Sequence, residues 1–294
     1  MRLLSRYCFP SKSNATPMSY CVELVRKHDY EHYLCGLLTP GGVRDTVFAL
    51  RAFNVETSQI RDSVTEKHIG KMRLQFWRDT IDSIFKNGSP PEHPVAMALA
   101  HVTKHRKLSK LWFTRLLNAR EHNLEDHPFH YTREIEEYAE NTNGALLYLT
   151  LECFGVQDVT ADHAASHLGK AETIVTLLRA ASYYRSCRRV CIPMDVLMRH
   201  GASQEDFVRG ELTPALKEAT FDFASLANTH LLKAQSLRGQ IPSNSIPAFL
   251  PAVACESFLA RIRKLDFNLF DPRLTTRNSL LPLTLLRKSW MRKF

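Results

Sequence analysis

The sequence has few glycine and proline residues and no long apolar run. Its 11 glycines and 14 prolines among 294 residues fall below the roughly 12% of average usage, so the dense turn signals that many short strands need are missing. No stretch of about 18 consecutive apolar residues occurs, so we expect no transmembrane helix. These absences favour a protein built from long α-helices.

The common motifs of nucleotide-binding and hydrolytic enzymes are absent too. No G-x-G-x-x-G, G-x-x-x-x-G-K or G-x-S-x-G motif occurs, so a dinucleotide fold, a P-loop and a hydrolase lack support. The seven cysteines are scattered without a C-x-x-C pair, which is typical of reduced thiols. The pairs His101/His105 and His163/His167 have no neighbouring Glu or Cys to complete a zinc site. We interpret these histidines as surface or capping residues.

Acidic residues are missing from both ends of the chain, and the formal net charge is +9. This charge admits nucleic acid, an anionic membrane or an acidic partner. Residues 1–19 combine arginine with serine and resemble a mitochondrial presequence, with a basic leader of no targeting role as the alternative. Residues 286–294 form a basic C-terminal tail. The leucines and Trp290 around it fit a peripheral contact with lipid, or packing onto the domain.

Apolar residues recur at helical spacing along most of the chain, for example over 69–85 and in a continuous stripe over 164–184. Thr132 is a candidate N-cap for a helical stretch that stops at Gly155, and Ser203 begins a capping-box-like run. The Pro-, Gly- and Ser-rich breaks are too short to be domain linkers. The sequence therefore predicts a single all-α domain.

Two of the helical segments resemble signatures of the squalene/phytoene synthase family, and the similarity spans roughly residues 20–285. The first family signature, an Arg followed by Asp-x-x-x-Asp, falls on Arg51 and on the positions of Asn54 and Ser58. The second falls on GKAETIVTLLRAASYYRSCRRVCIP, where Ala180 and Tyr184 occupy its two acidic positions. The resemblance implies a single-domain isoprenoid-synthase-type helical bundle around a central cavity.

In active members of the family, each aspartate box holds Mg²⁺ ions bound to the diphosphate of a prenyl substrate. Carboxylates four residues apart converge on one helix face, and Mg²⁺ prefers their oxygens. Here all four acidic positions are neutral, and residues 173–194 contain no Asp or Glu. We therefore expect a degenerate homologue with no catalytic residue, no metal and no cofactor. A magnesium-dependent prenyl-diphosphate synthase with an unorthodox site is the main alternative, and a prenyl-lipid carrier is another.

Positive charge remains in the same two segments. These arginines either bind an anion without magnesium, or form internal ion pairs or a partner surface; they are Arg51, Arg179, Arg185, Arg188 and Arg189. The basic and aromatic run over 182–189 could in principle clamp a nucleic acid. No groove-reading helix or RNA-module signature accompanies it, so we expect no nucleic-acid partner.

Longer strings carry a closer resemblance. ALRAFNVE, YAENT, LLYLTLE and DHAASHLGKA occur in this order, and they are similar to family members that help to build mitochondrial respiratory complex I. That resemblance implies a non-catalytic assembly factor that binds complex I subunits or assembly intermediates. It also implies a location at the matrix side of the mitochondrial inner membrane.

Overall fold

The computed structural model describes residues 16–64, 66–87, 89–125 and 127–294. These residues contain α-helices and short 3₁₀ and π segments, and no strand, which confirms the all-α prediction. The α-helices are α1 (Pro17–His28), α2 (Tyr30–Leu37), α3 (Gly41–Ser58), α4 (Ile60–Ser63), α5 (Lys67–Asn87), α6 (Pro94–His105), α7 (Lys110–His122), α8 (Thr132–Ala139), α9 (Ala145–Cys153), α10 (Val159–Arg179), α11 (Ala181–Ser186), α12 (Met194–Arg199), α13 (Gln204–Arg209), α14 (Pro214–Ser236), α15 (Pro251–Lys264) and α16 (Leu281–Trp290).

Two large apolar clusters hold the helices together. In the first, α1, α3, α5, α6 and α7 bury their apolar faces around Phe53, whose ring meets Trp77 at 5.3 Å and Phe113 at 5.4 Å between centroids. In the second, α10 and α14 pack with α8, α12 and α15. A smaller cluster joins α2, α15 and α16. Since each helix has one apolar face, this packing removes those faces from water.

Local capping signals fix several helix ends. Ser203 and Asp206 exchange hydrogen bonds of 3.0 and 3.1 Å, so the predicted capping box of α13 is confirmed. Gly155 has φ +68 after the end of α9, as its predicted stop position requires. Thr132 is not the N-cap of α8, because that position belongs to Tyr131. The Thr132 hydroxyl instead donates to Asp195 at 3.0 Å.

A π-helical segment, Glu140–Gly144, lies between α8 and α9 and contacts α10 closely. A Cβ on Gly169 of α10 would lie 2.6 Å from the Gly144 nitrogen, so only glycine fits at this crossing. Asn143 donates from Nδ2 to the Thr173 hydroxyl at 2.9 Å one helical turn further along α10. These contacts set the distance between α10 and the π segment.

The apolar stripe expected over 164–184 is divided between two helices. α10 ends at Arg179 and α11 begins at Ala181, and Ala180 joins them with φ −85 and ψ 6. Near the C-terminus, α16 includes the first half of the expected tail, and the Phe294 ring is buried against Phe249 at 4.9 Å. Among the described residues, no single helix has the length and apolar composition of a membrane span.

Candidate functional site: a polar central chamber

A cavity of about 220 Å³ lies where α1, α2, α3, α7, the π segment, α10 and α11 meet. We call it the central chamber. It is lined by His28, Asp29, His32, Arg51, Asn54, Val55, Ser58, Gln59, Arg120, Asn123, Phe129, Tyr138, Thr142, Asn143, Thr173, Thr176, Leu177, Arg179 and Tyr184. Three of the four degenerate signature positions are on this wall, and Ala180 is not.

Most residues that line the central chamber carry a polar group, although polar and apolar atoms contribute similar shares of its surface. Among the lining residues only Val55, Phe129 and Leu177 are apolar, and the others carry hydroxyl, amide, imidazole, carboxyl or guanidinium groups. The chamber therefore offers polar groups as well as apolar surface to an occupant.

Arg120 of α7 faces the first signature helix. Its Nη2 donates to the Asn54 Oδ1 at 3.0 Å, and its Nη1 donates to the Tyr138 hydroxyl. The guanidinium carbon also lies 5.5 Å from the centre of the Tyr138 ring. The side chain at the first signature position thus accepts a hydrogen bond from a cation that belongs to the protein.

The remaining signature side chains offer poor metal ligands. The Ser58 hydroxyl donates to the Val55 carbonyl at 3.0 Å, and burial raises the pKa of the Tyr184 phenol to about 12, so it stays protonated. Mg²⁺ prefers carboxylate oxygens, and amide, hydroxyl and phenol groups do not match that preference. No group of three or more His, Cys, Asp or Glu side chains within the described ranges could hold a metal ion.

One wall of the chamber holds a largely buried group of charges that the sequence did not reveal. His32 Nδ1 is 2.7 Å from Asp29 Oδ1, and its Nε2 is 3.6 Å from Glu172 Oε2. Burial and Arg51 oppose the charge on His32, yet the two carboxylates outweigh them and raise its pKa to about 9. Burial likewise opposes ionisation of Asp29, but His32 lowers that pKa to about 2. At neutral pH we therefore expect a charged His32 that pairs with the Asp29 carboxylate.

Arg51 lies deepest of the five arginines named from the sequence. It is 4% exposed, lines the central chamber, and its Nη1 has no hydrogen-bond partner. Arg179 also lines the chamber but is paired with Glu31 at 2.7 Å. The sequence left open whether these arginines bind a ligand or form internal ion pairs. Arg179 forms an internal ion pair, whereas Arg51 forms none within the described residues.

The other three arginines lie outside the chamber lining. Arg189 pairs with Asp62 at 2.9 Å. The guanidinium of Arg185 lies 5.3 Å from the centre of the Phe270 ring. Arg188 is exposed and has φ 55 at the turn after α11.

The two histidine pairs named from the sequence, His101/His105 and His163/His167, differ in exposure and in contacts. His101, His105 and His163 are exposed, in agreement with the surface interpretation. His167 departs from it, because its Nδ1 lies 2.9 Å from Nδ1 of the buried His230 on α14. This partner is distant in sequence, so spacing along α10 could not have indicated it.

Comparison with known proteins identifies the family to which this helical fold belongs. The sequence model described as Squalene/phytoene synthase matches residues 25–280. The chain belongs to the squalene/phytoene synthase family. The crystal structure of squalene synthase HpnC from Alicyclobacillus acidocaldarius superposes with a TM-score of 0.76 at 18% identity, over 86% of this chain and 95% of that one. The predicted isoprenoid-synthase-type fold is therefore confirmed.

The closer resemblance is confirmed as well. A Bos taurus protein named NADH dehydrogenase (ubiquinone) complex I, assembly factor 6 is 50% identical over 275 residues, covering 94% of this chain and 82% of its own. The protein named as its homolog in Drosophila melanogaster is 44% identical over 287 residues, covering 96% and 86%. These relatives share nearly the whole of the helical domain.

Proposed function

We propose that this protein is a non-catalytic assembly factor for mitochondrial respiratory complex I, which acts by binding subunits or assembly intermediates. The names of the relatives at 44 to 50% identity support the proposal. The observation that carries it is the donor set of the central chamber, where Asn54, Ser58 and Tyr184 occur on a family scaffold that otherwise remains intact. A scaffold that keeps its fold and lacks metal-binding oxygens retains its surfaces for partners.

The physical argument against catalysis concerns charge. A prenyl diphosphate leaves readily only when cations neutralise the negative charge that develops on it. Neutral side chains hold Mg²⁺ weakly, and the Asn54 oxygen already accepts a hydrogen bond from Arg120. The synthase alternative therefore lacks carboxylate ligands for its ions, and the polar groups on the chamber wall disfavour a prenyl carrier.

One biochemical and one cellular experiment test this function. Purified protein given Mg²⁺ and farnesyl or geranylgeranyl diphosphate should release no diphosphate above a blank. In cells that lack the protein, both the wild type and an Asn54→Ala/Ser58→Ala variant should restore assembled complex I on native gels. Diphosphate release that disappears in the Arg179→Met variant, or a folded double variant that fails to restore complex I, would overturn the proposal.

We further propose that the protein works at the matrix side of the mitochondrial inner membrane, with residues 1–19 as presequence, 20–285 as the synthase-like domain and 286–294 as a basic tail. The acid-free start of the chain supports import; residues 1–15 lie outside the described part of the structure. Incubation with isolated mitochondria tests this: protection from protease and a dependence on membrane potential are expected. Deletion of residues 2–15 without loss of import would exclude the presequence.

The outer face of α16 supports a peripheral lipid contact. Leu281 and Leu285 anchor the helix inside, whereas Leu283, Leu286 and Trp290 are 65%, 56% and 87% exposed on the opposite side. Exposed basic residues surround this apolar face; they are Arg287, Arg292 and Lys293. An apolar face with basic neighbours matches an anionic lipid surface, where each basic residue contributes about 1 kcal/mol.

Vesicle flotation tests the lipid contact. The wild type should float with phosphatidylcholine vesicles that contain phosphatidylglycerol, and less with pure phosphatidylcholine. A Leu283→Glu/Trp290→Glu variant should stay in solution, whereas the matched control Leu232→Glu, which changes a 55% exposed leucine on α14, should float like the wild type. Equal flotation of both variants would exclude α16 as the contact.

A further inference from the structure

A chain of hydrogen bonds joins α8, α10 and α14, and none of its members lines the central chamber. Nδ1 of His167 on α10 lies 2.9 Å from Nδ1 of His230 on α14, and Nε2 of His230 lies 2.8 Å from Oε1 of Glu136 on α8. His230 is 8% exposed, whereas His167 and Glu136 are half-buried. A buried imidazole thus connects two groups that solvent can reach.

The partners of His230 decide where its protons lie. An ionised carboxylate only accepts hydrogen bonds, so Nε2 of His230 carries the proton that it donates to Glu136. When His230 is neutral, its other ring nitrogen, Nδ1, is therefore an acceptor. The short distance between the two Nδ1 atoms requires one proton between them, and His167 donates it to the neutral His230.

This arrangement accepts one additional proton and not two. The first binds at Nε2 of His167 or charges His230, and in both cases one proton remains between the two Nδ1 atoms. A second would leave both Nδ1 atoms as N–H donors that face each other, because both ring nitrogens of a charged imidazole are donors. Two positive charges at this distance also repel each other. The contact between the rings therefore has to open when both are charged.

The surroundings of His167 favour its neutral form. Burial lowers the pKa of His167, and the positive charges of His230, Lys170 and Lys233 lower it further. His163, one turn earlier on α10, acts in the same direction. These groups lie on α10 and α14, so both helices that form the contact oppose a charge on His167.

The carboxylates on the third side are engaged by other groups. Glu136 of α8 accepts from His230, and Glu140 of the π segment accepts from the hydroxyls of Tyr148 and Ser166. Among the described residues His167 forms no ion pair with a carboxylate. Nothing on α8 or the π segment therefore offsets the cost of charging His167 while the contact is closed.

We propose that the contact between His167 and His230 is a pH-sensitive latch between α10 and α14, which is closed while a single proton lies between the two rings and opens when both rings are charged. His167 lies two residues before Gly169, where α10 crosses the π segment at Gly144. Opening of the latch therefore acts on the packing of α10 against both α14 and the π segment. This inference goes beyond the assembly function and does not depend on it.

The direction of the pH effect follows from the neutral form of His167. The closed latch favours this form, so the open or unfolded chain binds more protons below the ordinary histidine pKa of 6.5. The stabilisation by the latch is complete above pH 6.5 and is lost as the pH falls below this value. The latch is thus closed at neutral pH and opens on acidification.

NMR titration of the full-length protein with ¹⁵N-labelled histidine measures the protonation of the two rings. At about pH 7.5 we expect a proton on Nε2 of His230 and another between the two Nδ1 atoms. On acidification the pair should bind its two additional protons in separate steps, more than about tenfold apart in affinity. Glu136→Gln should weaken the first step, because a neutral amide stabilises a charged His230 less than a carboxylate does. Two rings that titrate independently would overturn the proposal.

Hydrogen exchange of the α10 and α14 amides tests whether the second proton opens the packing. At pH 5.5 a free imidazole is about 90% charged, so exclusion of that proton from the closed latch favours the open form about tenfold. After correction for intrinsic exchange rates, protection in the wild type should fall by up to about this factor between pH 7.5 and pH 5.5. His167→Gln keeps a polar side chain that cannot be charged, so its protection should not fall in this way.

The matched control is His163→Gln, which removes an exposed histidine from the same helix outside the latch and should lose protection like the wild type. His230→Gln replaces His167→Gln as the uncharged variant if the latter fails to fold. A loss of protection in the folded His167→Gln or His230→Gln variant equal to that of His163→Gln would overturn the latch. A difference between them supports it, whether or not the variants restore complex I.

Discussion

The crossing of α10 with the π segment allows a sharp test of the structure, because one added methyl group meets backbone on the other side. In Gly169→Ala the new Cβ would lie 2.6 Å from the Gly144 nitrogen and 2.9 Å from its Cα. Ordinary contact begins at about 3.4 Å, so the two segments must separate by about 0.8 Å. Backbone atoms cannot rotate away as the end of a flexible side chain can.

The expected magnitude combines two opposing effects. Forcing an extra methyl group into a packed interface costs typically 1–3 kcal/mol, and the rigid neighbour places this site near the upper end. Alanine favours the helix over glycine by up to about 1 kcal/mol. The net loss in free energy of unfolding is therefore about 2 kcal/mol, which lowers the Tm of a protein of this size by about 3 °C.

Differential scanning calorimetry and urea unfolding measure this effect against a matched control. Gly41→Ala also introduces alanine into a long helix, but its Cβ would meet nothing within 4 Å, so we expect an unchanged or slightly raised Tm. A Tm for Gly169→Ala that equals that of Gly41→Ala would refute the close approach of α10 to the π segment. The wall of the central chamber would then have to be reconsidered.

Three further predictions concern the buried charges and the C-terminus. The pKa of His32 is raised from 6.5 to about 9, so the charged imidazole contributes on the order of 3 kcal/mol to the free energy of unfolding. This contribution is complete below pH 6.5 and is lost as the pH rises through 9. Urea unfolding at pH 6.5 and pH 9 should show the loss, and equal stabilities at the two pH values would contradict it. Glu172→Gln should lower the free energy of unfolding by about 1–3 kcal/mol, because His32 then keeps only the Asp29 carboxylate. The pKa of His32, measured by NMR, should fall as well. A variant more stable than the wild type would show that the desolvation cost of Glu172 outweighs its attraction to His32. Phe294→Ala removes a fully buried ring stacked on Phe249 and should lower the free energy of unfolding by about 3 kcal/mol. Lys293→Ala, at an exposed position, is the control. Equal Tm values for the two variants would show that the Phe294 ring does not pack against Phe249.

The sequence indicated the parts of the structure that depend on neighbours along the chain. Helical periodicity predicted an all-α domain, and the capping box at Ser203 and the stop at Gly155 are local signals that the structure reproduces. The two signature positions on α3, Asn54 and Ser58, line the cavity. The prediction was wrong where a side chain contacts a residue distant in sequence. Thr132 donates a hydrogen bond to Asp195, which is 63 positions away, instead of capping α8.

The chamber itself could be predicted only in part, for the same reason. Arg120 carries no family signature that the sequence could show, and its partner Asn54 is 66 positions away. Glu172 follows the Gly-Lys-Ala opening and precedes the uncharged stretch 173–178 of α10, which was a signal for a buried acid but did not identify His32 as its partner. Polar contacts between helices depend on the final packing, so periodicity identifies the faces and not the pairs.

The charges in the chamber bear on how the scaffold remains stable with neutral side chains at the signature positions. Four cations around one cavity would repel one another if nothing opposed them. Asp29, Glu31 and Glu172 supply that opposition from α2, α10 and the residue before α2, and they engage His32 and Arg179. Neither Arg51 nor Arg120 forms an ion pair with a carboxylate among the described residues, although the charge of Arg51 acts on Asp29 and lowers its pKa. Internal carboxylates thus offset part of the positive charge at the chamber and stabilise the fold there.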